Sequence, residues 1–212
     1  MTEADSRPSR GRYAGILLLL WLTGLYLRLP VLIAPPLAPF IADDLGLTQT
    51  GIGALTTIPV LMLAAGALPG SLAISRLGAR RTVVLALTVV ALASAARGLA
   101  PPALILFAAT AVMGLGIAAM QPALPALVPQ WSPTRIALGS AVYMNGMLMG
   151  EFIGGGLTLP VIMPATGGDW RIALVAWSTP GLILAAALLV PRSHRRDGDA
   201  SPDRGWHPDW RG

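Results

Sequence analysis

"LTGLYLRLPVLIAPPLAPF", Leu22 to Phe40, decides how the chain is read. It sets one arginine, Arg28, inside an otherwise apolar run, with "YAGILLLLWL", Tyr13 to Leu22, directly upstream. About 20 apolar residues at 1.5 Å rise each cross roughly 30 Å of hydrocarbon, so the run has the length of a membrane span. A guanidinium there is costly. It is tolerated where it faces a bundle interior or a wet cavity, or where it snorkels to the headgroups.

The same pattern recurs outward from this stretch. Of 212 residues, 54% are hydrophobic and only 12% charged, with a mean hydropathy of +0.67. A soluble domain is about one-quarter charged. The apolar residues come in blocks separated by short polar hinges, which predicts an all-α integral membrane protein with the bilayer as its main solvent. No cysteine is present, and both histidines, His194 and His207, lie in the polar tail, so no metal cluster or cofactor is expected. The sequence pI is near 11.0. Yet the arginines fall in the hinges, a pattern of membrane topology and not of nucleic-acid binding.

Six spans are predicted: Tyr13 to Pro35, Thr50 to Ile74, Thr82 to Ala100, Ala103 to Val128, Arg135 to Met163, and Trp170 to Val190. The first is too long for a signal peptide and lacks a small-residue cleavage site. These spans define a bundle over residues 13–190, between a tail at 1–12 and a charged, Pro- and Gly-rich tail at 191–212. Arg7, Arg10 and Arg12 precede the first span. Arg76, Arg80 and Arg81 sit in the second-to-third hinge, Arg135 in the fourth-to-fifth, and five more arginines in the final tail. The alternate hinges hold Asp43 and Asp44, then "APP", then Asp169 with Arg171. The positive-inside rule therefore places both termini in the cytoplasm, as an even span number requires.

Taken together, several segments resemble the N-terminal half of a major facilitator superfamily transporter, within its cyanate and nitroimidazole permease group. They are "YLRLP" (Tyr26 to Pro30), "PPLAPFIADDLGLT" (Pro35 to Thr48), "LTTIPVL" (Leu55 to Leu61), "GLGIAAMQPALP" (Gly114 to Pro125) and "DWRIALVAW" (Asp169 to Trp177). Gly70, Arg76, Gly78, Arg80 and Arg81 approximate the superfamily's hinge motif, with Ser75 where an aspartate is usual. "GMLMGEFIGG", Gly146 to Gly155, is similar to the antiporter-type glycine motif, with Glu151 in place of proline. The resemblance implies one half-bundle of that fold, a bacterial inner-membrane location, and a central cavity lined by the first helix. It also implies a cytoplasmic gate at the Gly70–Arg81 hinge. A complete site needs a second bundle, either a separate six-helix half or a second copy of this chain.

The candidate chemistry follows. Arg28 clamps a small anion or carboxylate with parallel hydrogen bonds, or else snorkels outward. Gln121 and Asn145 offer neutral hydrogen bonds to a solute, or to neighbouring helices. Glu151 is a proton-coupling carboxylate, a fixed counter-ion to Arg28, or part of a tight glycine packing face. Arg97 is expected to reach the outer headgroups. Gly146, Gly150 and Gly154 recur at four-residue spacing and predict a close helix contact. No catalytic constellation is visible, so the expected function is passage of a small polar or anionic solute by alternating access. The alternative is a truncated, non-transporting membrane protein or an accessory scaffold.

Overall fold

The computed structural model describes residues 10–99 and 102–189. Of the expected tails at 1–12 and 191–212, residues 1–9 and 191–212 lie outside the described residues. The described chain runs through α1 (Arg10–Leu32), α2 (Ala34–Leu45), α3 (Gln49–Leu77), α4 (Ala79–Leu99), α5 (Ala103–Trp131) and α6 (Ile136–Gly156). A π-helical turn (Thr158–Ile162), the short α7 (Met163–Ala165) and α8 (Trp170–Leu189) complete it. Six helices are long and apolar enough to cross a bilayer, the first being the continuous stretch Gly11–Leu45. Helices are the required answer, because lipid offers no partner for backbone N–H and C=O groups.

The first span differs from expectation at both ends. Helix already begins at Arg10, inside the expected tail, and Pro35 starts a helix where a stop was expected. A proline in the first turn of a helix loses no hydrogen bond, since the N–H it lacks would be an orphan there. The helix is therefore interrupted only at Ile33 and continues as α2, which ends at Gly46 in the left-handed region (φ 62°). Gly78 ends α3 at a positive φ of a different kind (φ 80°, ψ 156°), its N–H bonding Ile74 O at 2.8 Å. The start of α3 is capped by Thr48, whose Oγ1 accepts from Gly51 N–H.

Close contacts fix the relative directions of the helices. A methyl group at Gly146, Gly150 or Gly154 of α6 would run into the α1 backbone near Trp21, Leu25 and Leu29 respectively. Both numbers rise together, so α1 and α6 are parallel. Gly66 and Gly70 of α3 press on Ala118 and Ala119 of α5, and Gly114 meets Pro59 and Met62, so this pair is parallel too. Gly98 of α4 touches Arg171 of α8, while Arg80 of α4 reaches Leu188, which makes that pair antiparallel. Six alternating crossings account for all three relations, and the start of α1 and the end of α8 share one end of the bundle.

That end holds Arg76, Arg80, Arg81 and Arg135, and there Tyr13 Oη lies 3.0 Å from Ser132 Oγ. The opposite end holds Asp43, Asp44 and Asp169, with Arg171 paired to Asp44 at 2.5 Å. The most enclosed span is α4, with 61% of its most apolar stretch buried, against 17% for α3 and 22% for α6. The last two flank the open side of the bundle.

Candidate functional site

Between α1, α3, α5 and α6 lies a cavity of about 820 Å³. Arg28, Gln121, Tyr143 and Glu151 line it among apolar side chains such as Leu63 and Met147, and Pro122 and Pro125 form part of its wall. Arg28 is the middle residue of the apolar stretch Gly11–Leu45, which runs on past Pro30 and Pro35. Arg28 Nε is 3.5 Å from Glu151 Oε1, the side chains being 32% and 43% exposed. The pair is an ion pair in which Arg28 Nε, though buried, makes no hydrogen bond.

The glycine face explains why these two residues meet. Gly150 and Gly154 bring the α6 backbone onto the α1 backbone at Leu25 and Leu29, so the neighbouring positions 151 and 28 are forced alongside. Small residues set the register, and the register sets the charge pair.

The cavity face of α6 carries Tyr143, Met144, Met147, Leu148 and Glu151, the three-and-four spacing of a helical stripe. Asn145 is off that stripe. It does not line the cavity, and its Oδ1 accepts a hydrogen bond from Trp21 Nε1 at 2.9 Å. Of the expected solute contacts, Arg28 and Gln121 are gathered with Glu151, while Asn145 is joined to α1. Tyr26 is likewise structural: its hydroxyl lies 3.2 Å from the carbonyl oxygens of both Trp177 and Ser178, and its ring rests on Gly181.

Arg97 corrects the expectation made for it. It does not reach the headgroups but is wholly buried, with Nη1 donating to Pro30 O at 3.0 Å and touching Met113 Sδ at 3.2 Å. It belongs to the most enclosed span, and the signal for its position is tertiary.

At the arginine-rich end, the hinge residues divide their tasks. Gly70 permits the α3–α5 contact, and Gly78 supplies the positive-φ end of α3. Arg80 Nη2 donates to Leu188 O at 2.9 Å, tying α4 to the last turn of α8. Arg76 and Arg81 are exposed. Ser75 Oγ donates to Leu72 O within its own helix and bridges nothing. A second cavity of about 540 Å³ opens beside Arg80 and Arg81. Among the described residues no group of three His, Asp or Glu side chains could hold a metal ion.

A sequence profile of the Major Facilitator Superfamily matches residues 15–212. The 2-nitroimidazole transporter of Escherichia coli is 32% identical over 178 residues, covering 82% of this chain and 44% of that protein. The cyanate transport protein CynX of the same organism is 25% identical over 168 residues, 79% of this chain and 43% of that one. The gallate transporter of Pseudomonas putida is 29% identical over 194 residues, 90% and 42% respectively. The chain thus spans about two-fifths of the length of the curated relatives it matches.

Proposed function

The chain belongs to the major facilitator superfamily, in its cyanate- and nitroimidazole-transporter-like group, and on that premise we propose that it supplies one wall of a transport site for a small anionic or polar solute. One observation carries the reading. A permanently charged guanidinium within an apolar span lines an 820 Å³ cavity, and its close counter-charge among the described residues, Glu151, is 3.5 Å away. A carboxylate or small anion in the cavity would compete with Glu151 for the same donors, and a planar fork rewards bidentate anions. Gln121 adds a neutral hydrogen bond on the facing helix. Two of the relatives carry the names of anions, cyanate and gallate, which agrees with an anion-seeking cavity.

Glu151 has a defined part in this scheme. With no solute bound it balances Arg28. When an anion takes the guanidinium, the displaced carboxylate is free to accept a proton, which would couple solute entry to proton movement. Alternating access would then require a second bundle to close the open side between α3 and α6, either a separate six-helix half or a second copy of this chain. The Arg80–Leu188 clasp and the Gly70–Arg81 hinge form the cytoplasmic side of the gate in this reading.

The test is uptake of labelled gallate and cyanate into vesicles, holding this chain alone or together with a separately supplied second bundle. Uptake that is abolished by Arg28→Ala supports the reading. Uptake indifferent to Arg28→Ala in both preparations sinks it. An activity independent of solute altogether returns the chain to the scaffold alternative.

A further inference from the structure

The 540 Å³ cavity at the arginine-rich end shares no lining residue with the larger one. Arg80 and Arg81 of α4 line it, with Gln130 of α5 on another side. Its lining is of two kinds. Arg81 and Gln130 are exposed polar groups, whereas Leu85 and Leu189 are exposed apolar ones, so a cationic rim meets an apolar wall. A soluble anion gains nothing from the leucines, and a neutral hydrocarbon gains nothing from the arginines. A molecule with an anionic head and an apolar tail suits both.

The electrostatics of this end are one-sided. The first closure of α4 is Thr82 N–H on Gly78 O, at 3.1 Å, so the amides ahead of it have no acceptor within their helix. Acidic side chains are favoured at such a positive pole. The first turn of α4 has none and holds Arg80 and Arg81 instead. Arg80 is anchored: its Nη2 donates to Leu188 O at 2.9 Å, where the terminal carbonyls of α8 take up part of its charge. Arg81 stands exposed beside it. The acidic side chains among the described residues are Asp43, Asp44 and Asp169, all at the opposite end, and Glu151, which pairs with Arg28. The surroundings can offset this excess, since anionic headgroups belong to the leaflet on the side where loop arginines are retained.

We propose that the cavity binds one anionic phospholipid, its phosphate on Arg81 and the first amides of α4, with Arg80 behind and an acyl chain along Leu85 toward Val89. Gln130 Nε2 donates to Ala126 O of its own helix at 3.3 Å, so its amide oxygen is left to accept from a headgroup hydroxyl. Phosphatidylglycerol has such hydroxyls and a net negative charge; phosphatidylethanolamine has neither. The bound lipid joins α4 to the ends of α5 and α8. Nothing in this site depends on what the larger cavity carries.

The chain has no cysteine, so a single fluorophore on Val89→Cys reports local lipid without background. Val89 is exposed one turn beyond Leu85 and outside this cavity. The full chain is reconstituted in phosphatidylcholine vesicles with rising fractions of phosphatidylglycerol or phosphatidylethanolamine brominated on the acyl chains. Quenching should reach half-maximum at about a fivefold lower fraction of phosphatidylglycerol. Arg81→Gln should remove most of that preference, while Arg76→Gln, which deletes the same charge at the same end but outside the cavity, should keep it. A fluorophore on Leu104→Cys, exposed at the opposite end, should be quenched equally by both lipids. Millimolar inorganic phosphate should change none of these curves. Equal quenching by the two lipids at Val89 overturns the proposal. Equal losses in Arg76→Gln and Arg81→Gln reduce it to diffuse surface charge, and relief of quenching by phosphate assigns the arginines to a soluble anion; either result also overturns it.

Discussion

Arg28 is balanced but not saturated. Its Nε is buried, faces Glu151 at 3.5 Å, and makes no hydrogen bond. A charged hydrogen bond contributes about 1.5–3 kcal/mol, and each 1.4 kcal/mol is about a factor of ten in affinity. On the proposed solute site, replacing the fork with a point charge, Arg28→Lys, should therefore raise the KM for a carboxylate solute about ten- to a hundredfold, while Gln121→Ala should raise it severalfold at most. Initial-rate uptake over a range of concentrations measures both. Glu151→Gln should flatten the pH profile of uptake if the carboxylate accepts the proton released by exchange; an unchanged profile would make it a fixed counter-ion. The sequence made Arg28, Gln121 and Glu151 visible as polar residues in apolar surroundings. Asn145 passed the same test and is elsewhere, because polarity reveals expense while helical phase reveals direction, and position 145 is out of phase with the 144–147–148–151 stripe. Arg97 was misjudged for a related reason: closeness to a helix end suggests a headgroup anchor only if that end faces lipid.

At the scale of elements, the small residues carry the most information. The Gly146–Gly150–Gly154 ladder was legible from spacing alone, and it determines which helix lies on which. Overpacking a close contact costs about 1–3 kcal/mol. Gly150→Ala should thus lower thermal stability in detergent and also weaken uptake, because pushing α6 off α1 separates Glu151 from Arg28. Gly155→Ala, where open space surrounds the added methyl, should do neither. Comparing the two by fluorescence-detected melting isolates the contact from helix propensity, since both replace glycine by alanine within α6. Span boundaries were less legible. The end of the first span went wrong at Pro35 because proline both stops helices and starts them, and only the neighbouring backbone decides which. The π-helical turn at Thr158–Ile162 left no mark in the apolar pattern. It is visible only where Thr158 Oγ1 bonds back to Gly154 O and receives Trp177 Nε1–H at 3.2 Å.

For the whole molecule, the six crossings sort the charges by end, although periodicity has no knowledge of sides. Arginines 76, 80, 81 and 135 gather where α1 begins and α8 ends; Asp43, Asp44 and Asp169 gather opposite. Loop arginines are retained on the cytoplasmic side during insertion, so the arginine end should face the cytoplasm and both termini with it. Asp44 stands in the last turn of α2, where a carboxylate meets the negative pole of its own helix, and Arg171 offsets that repulsion while tying the first span to the sixth. The sidedness can be read directly, again because the chain has no cysteine. In intact spheroplasts, a membrane-impermeant maleimide should label Asp43→Cys promptly and should label Arg81→Cys only after the membrane is permeabilised, both positions being exposed. The reverse pattern would invert the protein, and with it the assignment of the Arg80–Leu188 clasp to the inner gate.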